Sequence, residues 1–317
     1  MSASSGTSWG RSRRSCISDR PAGRRDRGIG ASPIPEGFGR APGHPAGALG
    51  IIHPFPTGLV SLVTVALASL AGGSTQTVAL LGAAMLGFQS SIGATNDLAD
   101  RVEDRRRGAR KPIPAGQIGV TTALLVAVVG ALVGLGLSAL VSPAAVVVGA
   151  IGLLSGVAYD MWLRPRGLEV VAYAIALPAL LVYAWWGASG TLPPGGPTLL
   201  ALAALVGPAL SLANGLVDVE LDVQEGHAGL PARIGQRACV VLLAVLVAAT
   251  HVLAWLLWMG TDRPELATLT MAAGGVLALA GVVLSADGRR SRRSMGWTAQ
   301  ALGTAALGIG LLAALSA

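Results

Sequence analysis

Apolar runs of about 20 residues recur along nearly the whole chain, and this pattern constrains the fold more than any other feature of the sequence. A run of that length spans the hydrocarbon core of a bilayer as a helix, which satisfies its own backbone polar groups. A signal peptide accounts for only one such run. Only 12% of the residues are charged, whereas soluble domains carry about 25%. We therefore predict an all-α polytopic membrane protein.

The apolar runs divide the chain into a tail and a membrane domain. Residues 1–46 are rich in Ser, Arg, Gly and Pro without apolar periodicity, which predicts a disordered basic tail. Residues 47–317 form the predicted membrane domain. Its spans, about nine in number, are predicted at residues 53–72, 76–95, 118–141, 143–162, 168–189, 198–217, 236–259, 265–285 and 296–316.

Basic residues stand in short blocks between the apolar runs, and their positions predict the topology. The net charge of +7 would suggest nucleic acid as the partner of a soluble chain, but here the blocks alternate with the spans, so we predict no nucleic-acid binding. If the N-terminus lies in the cytoplasm, Arg263 is the only basic residue of the outward loops. The inward loops contain Arg101, Arg105, Arg106, Arg107, Arg110, Lys111, Arg164, Arg166, Arg233, Arg237, Arg289, Arg290, Arg292 and Arg293. This division predicts a multi-pass protein of the cell membrane, with its C-terminus outside.

Acidic residues gather at the predicted inner ends of the second and sixth spans. The first group runs from Asn96 to Asp104 and the second from Asn214 to Asp222, and both read Asn-x3-Asp-x3-Asp. On a continuous helix this spacing places the polar side chains on one face. A loop with Pro and Gly follows each group, so the chain reads as two diverged repeats with a site at their interface.

Clustered carboxylates at a membrane face need a compensating charge. Each costs about 2.5–3.5 kcal/mol at the centre of a membrane helix, and like charges on one face repel. Pairing with the nearby arginines is one explanation. The explanation favoured by two matched groups is Mg²⁺, which binds hard oxygen ligands and shares its remaining positions with substrate phosphates. A secondary transporter with helices broken at Pro178 and Pro208 is the alternative function.

These motifs resemble those of the UbiA family of intramembrane prenyltransferases over roughly residues 50–317. The stretch Asn96–Asp104 matches the family's NDxxDxxxD, and Lys111-Pro112 matches the basic loop after it. The second DxxxD is matched by Asp218–Asp222, and the LPxRxG after it by Leu230–Gly235. Tyr159 with Arg164 resembles the family's Tyr-x3-5-Lys. Gly215 departs from the pattern, since many members have a second Asp there.

The resemblance implies a nine-helix bundle around a central cavity and an enzyme with Mg²⁺ as cofactor. The implied reaction transfers a prenyl group from an isoprenoid diphosphate to a lipophilic aromatic or alcohol acceptor, through an allylic carbocation and with release of pyrophosphate. The implied metal ligands are Asp97, Asp100, Asp104, Asp218 and Asp222. The implied diphosphate-binding residues are Asn96, Lys111, Arg164 and Asn214, and the implied catalytic residues are Asp100, Asp218 and Tyr159.

Asp160 has two interpretations from the sequence. It follows Tyr159 at the predicted inner end of the fourth span, so it either serves the acceptor, by orienting it or by acting as a base, or pairs with Arg164 at i+4. Besides the prenyl donor, the acceptor and membrane lipid, no partner is predicted. The acceptor, the prenyl chain length, the choice between transfer and cyclisation, and the oligomeric state stay open.

Overall fold

Helices, with the turns between them, account for the residues that this computed structural model describes, which are 49–109, 111–224, 226, 229–259 and 264–316. The predicted tail, Arg110 and Arg263 lie outside these residues. In chain order the helices are α1 (Pro54–Leu70), α2 (Thr75–Arg106), α3 (Val120–Ala139), α4 (Pro143–Ala158), α5 (Glu169–Ser189), α6 (Gly196–Leu216), α7 (Val219–Gln224), α8 (Leu230–Ile234), α9 (Gln236–Trp258), α10 (Pro264–Ser285) and α11 (Arg290–Leu315). A π-helical turn, Tyr159–Leu163, and a 3₁₀ turn, Arg164–Arg166, extend α4.

Among the described residues, eight helices are long and apolar enough to cross a membrane, which confirms the all-helical, multi-pass prediction. They are α2, α3, α4 with its extension, α5, α6, α9, α10 and α11. The predicted first span corresponds to α1, a shorter apolar helix of 17 residues. It begins at Pro54 because a residue that precedes proline disfavours the helical conformation. It ends before Gly72, whose φ is 78°.

The second acidic group does not lie on one continuous helix, so the prediction of a continuous helix through Asn214, Asp218 and Asp222 is wrong, although all three residues face the same cavity. Helix α6 ends at Leu216, Asp218 lies in the turn that follows, and α7 carries Asp222. The turn is held from α11, where fully buried Arg293 donates to the carbonyl oxygen of Val217 at 3.3 Å. The break is possible because this long-range bond satisfies a carbonyl near the helix end.

Small residues set the spacing between α2 and α3. A Cβ atom added to Gly130 would lie 2.7 Å from the carbonyl oxygen of Gly87, and one added to Gly134 would lie 2.4 Å from the Phe88 ring. Gly136, two residues after Gly134 on α3, has no neighbour within 4 Å of such an atom. Two of the three glycines in this span therefore permit close helix contact, as small residues do in membranes.

We predict that Gly130→Ala lowers the thermal stability of the purified protein, because the new methyl group pushes apart backbones that cannot yield locally. Overpacking of this kind costs about 1–3 kcal/mol. Gly136→Ala is the matched control and should leave the melting temperature unchanged or raise it, because Ala favours a helix over Gly. The melting temperature in detergent is the measurement, and equal values for the two variants would contradict the close contact.

Candidate functional site

One large cavity, with a volume of about 550 Å³, runs between α1, α2, α4, α5, α6 and α11. Its wall extends from Asn214 to Leu199 along α6, which is about 22 Å at 1.5 Å per residue. Most of the wall is apolar, and the charged side chains lie at one end. The charged and polar residues at that end are His53, Asn96, Asp100, Lys111, Tyr159, Asp160, Arg164, Asn214, Asp218 and Asp222. The cavity therefore suits a molecule with an ionic head and a hydrocarbon body.

The carboxylates of the first acidic group meet at Lys111. Its ammonium nitrogen lies 3.2 Å from an oxygen of Asp97, 2.9 Å from one of Asp104 and 3.8 Å from one of Asp100. The ring nitrogen Nε2 of His53 also lies 3.1 Å from Asp97. Asp100 lines the cavity, whereas Asp97 and Asp104 are buried beside it, outside the residues that form its wall.

Lys111 stays positively charged in this environment. Burial by itself would lower the pKa of its ammonium group, but Asp97, Asp104 and Asp100 outweigh burial and raise the pKa above its ordinary value. The loop that carries Lys111 is anchored by hydrogen bonds from the amides of Ala115 and Gln117 to the carbonyls of Lys111 and Pro112. Lys111 thus reduces the repulsion among all three carboxylates of the first acidic group.

Arginines pair with Asp100 as well and with the carboxylates of the second acidic group. Arg164 donates to Asp100 at 2.9 Å, and Arg107 donates to Asp222 at 2.9 Å. Arg290, at the start of α11, pairs with Asp218. Since Arg107 follows α2 and Asp222 lies on α7, its bond joins the ends of the two acidic groups. Asp100, Asp218 and Asp222 all line the one cavity, so the structure brings both groups to the same site.

The asparagines of both acidic groups converge on the π-helical turn after α4. Asn96 donates its amide N–H to Asp160 at 2.8 Å, and Asn214 donates to the Tyr159 hydroxyl at 3.2 Å. Tyr159 and Asp160 both line the cavity, and the Tyr159 ring contacts that of Tyr173 edge to face at a centroid distance of 5.5 Å. A π-helical turn changes the facing of side chains relative to an α-helix and is frequent at functional sites.

Asp160 does not pair with Arg164 at i+4, which was one of its two interpretations, because Arg164 bonds to Asp100 instead. The predicted site also lacks His53, Arg107 and Arg290, which the structure places against Asp97, Asp222 and Asp218. Their basic character was visible in the sequence, but no spacing connects them to a particular carboxylate. These pairings depend on how the helices pack.

Packing also explains the departure at Gly215. A Cβ atom there would lie 2.9 Å from the Pro231 ring on α8, so this position has no room for an aspartate. Glu220, inside the second motif, turns away from the cavity and pairs with Arg293 of α11. The second acidic group therefore offers two carboxylates to the cavity, those of Asp218 and Asp222.

The family model of the UbiA prenyltransferases matches residues 56–303, which include both acidic groups and the turn between them. The chain belongs to the UbiA prenyltransferase family. No curated protein gives a match to this UbiA member. Solved structures do, with sequence identities that are low enough to inform only the fold.

Three solved structures illustrate how far the fold is shared. A UbiA homologue from Aeropyrum pernix K1 has a TM-score of 0.65 and 20% identity, over 78% of this chain and 96% of the homologue. A UbiA homologue from Archaeoglobus fulgidus, bound to GPP and Mg²⁺, has a TM-score of 0.62 and 18% identity, over 84% and 99%. A digeranylgeranylglyceryl phosphate synthase structure has a TM-score of 0.62 and 14% identity, over 85% and 98%.

We predict that Lys111→Met lowers the thermal stability of this UbiA member, because the carboxylates of Asp97 and Asp104 lose their shared cation. The loss should be about 2 kcal/mol, since the ammonium group is partly exposed and screened by solvent. The second change in Lys111→Met/Asp104→Asn should restore part of it. Arg105→Met, an exposed cation nearby, is the control. Equal melting temperatures for Lys111→Met and Arg105→Met would contradict the shared ion pair.

The stabilisation by Lys111 should also depend on pH. A raised pKa in the folded protein means that the stabilising contribution is fully present below the unfolded value of about 10.4 and is lost as the pH rises through the folded value. The difference in melting temperature between wild type and Lys111→Met should therefore be constant from pH 7 to 9 and shrink above about 10.4. A difference that grows at high pH would contradict this assignment.

Proposed function

We propose that this protein transfers a prenyl group from an isoprenoid diphosphate to a lipophilic acceptor and releases pyrophosphate. One observation carries the proposal: a single cavity joins an end lined by Asp100, Asp218, Asp222, Lys111 and Arg164 to an apolar wall. A diphosphate head fits the charged end, and an isoprenoid chain fits the apolar part. Membership of the UbiA family supports the same reaction class.

Relatives of the same fold support the donor. The Archaeoglobus fulgidus homologue has been solved with GPP and Mg²⁺ and with DMAPP and Mg²⁺. The alternative, a secondary transporter, predicts helices broken at Pro178 and Pro208. Both α5 and α6 are continuous through these prolines, and the paired carboxylates lie at one end of the cavity, not along its length.

The residues at the charged end suit Mg²⁺ that arrives with a diphosphate. Within the described residues, no group of three or more His, Cys, Asp or Glu side chains is close enough to hold a metal ion by itself. Mg²⁺ is usually bound by one or two carboxylates, with substrate phosphates and water as its other ligands. We propose that Asp97, Asp100, Asp104, Asp218 and Asp222 supply the carboxylates. When bound, Mg²⁺ would neutralise charge that develops on the leaving pyrophosphate.

The other polar residues then have distinct roles in the proposed reaction. Lys111 and Arg164 supply positive charge to the diphosphate oxygens as the C–O bond breaks. Tyr159 presents an aromatic ring to the allylic carbocation, and aromatic rings attract cations. Asn214 holds the Tyr159 hydroxyl, and Asn96 holds Asp160 at 2.8 Å beside the diphosphate. The apolar wall excludes water, which would otherwise capture the cation.

The proposed orientation places the charged end at the cytoplasmic face of the cell membrane. The basic residues among the described part of the chain concentrate near this end, at the end of α2, after α4 and at the start of α11. Cytoplasmic loops of membrane proteins carry such an excess of Lys and Arg. The C-terminus would then lie outside.

We predict that Asp100→Asn and Asp218→Asn each reduce Mg²⁺-dependent pyrophosphate release from GPP or DMAPP by at least about 100-fold, as expected when an electrostatic contribution to a transition state is removed. Purified protein in nanodiscs, labelled donors and mass spectrometry of products with a panel of aromatic and alcohol acceptors provide the measurement. Chelation of Mg²⁺ should abolish the signal.

Glu265→Gln is the matched control for these substitutions. Glu265 is an exposed acid in the first turn of α10, outside the cavity wall, and its variant should retain wild-type activity. Full activity of the Asp100→Asn and Asp218→Asn variants, or turnover that persists without a divalent cation, would refute the proposed function.

A further inference from the structure

The apolar part of the cavity ends at a layer of packed leucines, opposite the charged end. Its last wall residues are Leu199 at the start of α6, Leu67 near the end of α1 and Leu312 near the end of α11. All three are buried, and they belong to one cluster with Trp185 and Leu311, which are buried as well and lie outside the wall. A hydrocarbon chain that enters from the charged end therefore meets closely packed side chains here.

Two helices give the depth of the cavity between the charged end and these leucines. On α6 the wall runs from Asn214, which bonds to the Tyr159 hydroxyl, to Leu199, a rise of about 22 Å at 1.5 Å per residue. On α11 it runs from Trp297 to Leu312, which is again about 22 Å. The two walls thus have the same length.

This depth can be expressed in isoprene units. Each unit adds four carbon–carbon bonds of about 1.5 Å to the chain, and in an extended zigzag these advance about 5 Å. In the proposed reaction the first carbon of the prenyl chain lies beside Tyr159, at the level of Asn214. Four units then extend about 20 Å and fill the cavity as far as Leu199, whereas a fifth would have to enter the leucine cluster.

The last unit would lie next to a small residue of α6. Ala203 lines the cavity one helical turn from Leu199, toward the charged end. One turn rises about 5.4 Å, which is close to the length of one isoprene unit. A large side chain at this position would therefore occupy the space of the fourth unit and leave room for three.

We propose that the prenyl donor of this protein carries four isoprene units, and that Leu199, together with Leu67 and Leu312, sets this length by ending the cavity. The inference rests on the proposed prenyl transfer, since it concerns the donor of that reaction. Donor binding can nevertheless be measured without turnover.

The test uses unreactive thiolodiphosphate analogues of the donor with two, three, four, five and six isoprene units. Their affinities for the full chain in nanodiscs are measured with Mg²⁺ by competition with a labelled analogue, and empty nanodiscs correct for partition into the bilayer. Wild type should bind the four-unit analogue most tightly. The six-unit analogue should bind at least about tenfold more weakly, because its last units would have to displace a packed cluster.

Ala203→Phe is the informative variant. It should weaken binding of the four-unit analogue at least about tenfold and leave the two-unit analogue within about twofold of wild type, so that the three-unit analogue binds best. A variant that has lost its fold is recognised because it loses the two-unit analogue as well. Ala201→Phe is the matched control, since Ala201 is exposed on the same helix and lies outside the cavity wall, and its profile should equal that of wild type.

Leu199→Ala tests the end of the cavity from the other direction. Removal of this side chain should raise the affinity for the five-unit analogue relative to the four-unit analogue by at least about fivefold. Because each comparison between a variant and wild type uses the same analogue, partition into the bilayer cancels from the ratio.

Each outcome bears on the inference. A wild-type affinity that stays level from four to six units would mean that the chain leaves the cavity between helices, and this overturns the proposed length. An optimum at two or three units overturns it too, as does an Ala203→Phe profile equal to that of wild type. Failure of the proposed function is a separate result, in which wild type releases pyrophosphate from no donor of any length; release that occurs together with a level affinity profile refutes the length alone.

Discussion

Mutual repulsion among carboxylates at one end of the helices is the constraint on which this structure depends. Asp97, Asp100 and Asp104 lie on one stretch of α2, and all three are within 3.8 Å of the single ammonium group of Lys111. Such a cluster persists at a membrane face only if cations are held close to it. Arg164, Arg107 and Arg290 provide the others, each from a different part of the chain. Neutralisation of the site thus ties α2, α4, α7 and α11 together.

The turn between Tyr159 and Leu163 is where the two acidic groups make equivalent contacts. Asn96 precedes the first aspartates and bonds to Asp160, while Asn214 precedes the second and bonds to Tyr159. Matched residues therefore hold neighbouring side chains of one irregular turn. This arrangement gives the asparagines a positioning role that is separate from direct contact with a diphosphate. The proposed internal duplication remains a prediction, although these contacts are what it would produce.

The cavity next to this turn combines a charged end with an apolar wall, as the proposed reaction requires. Seven helices contribute to its wall, α7 through Asp222 alone, whereas no described residue of α3, α9 or α10 lines it. Buried Arg293 fastens the start of α11 to the second acidic group through Glu220 and the Val217 carbonyl. The helix that closes the apolar part of the cavity is thereby linked to the carboxylates at its charged end.

Much of the fold and part of the site could be predicted from the sequence, because they depend on local composition. Apolar runs determine where helices cross a membrane, and the repeated Asn-x3-Asp-x3-Asp marks the helix ends that carry the carboxylates. The tertiary structure alone decided which cation pairs with which carboxylate, that α6 breaks before Asp218, and that Pro231 excludes a larger residue at Gly215. It also decided that Asp160 bonds to Asn96 and not to Arg164. These features arise from contacts between segments far apart in the chain, and in a π-helical turn the local i+4 rule no longer says which side chains meet.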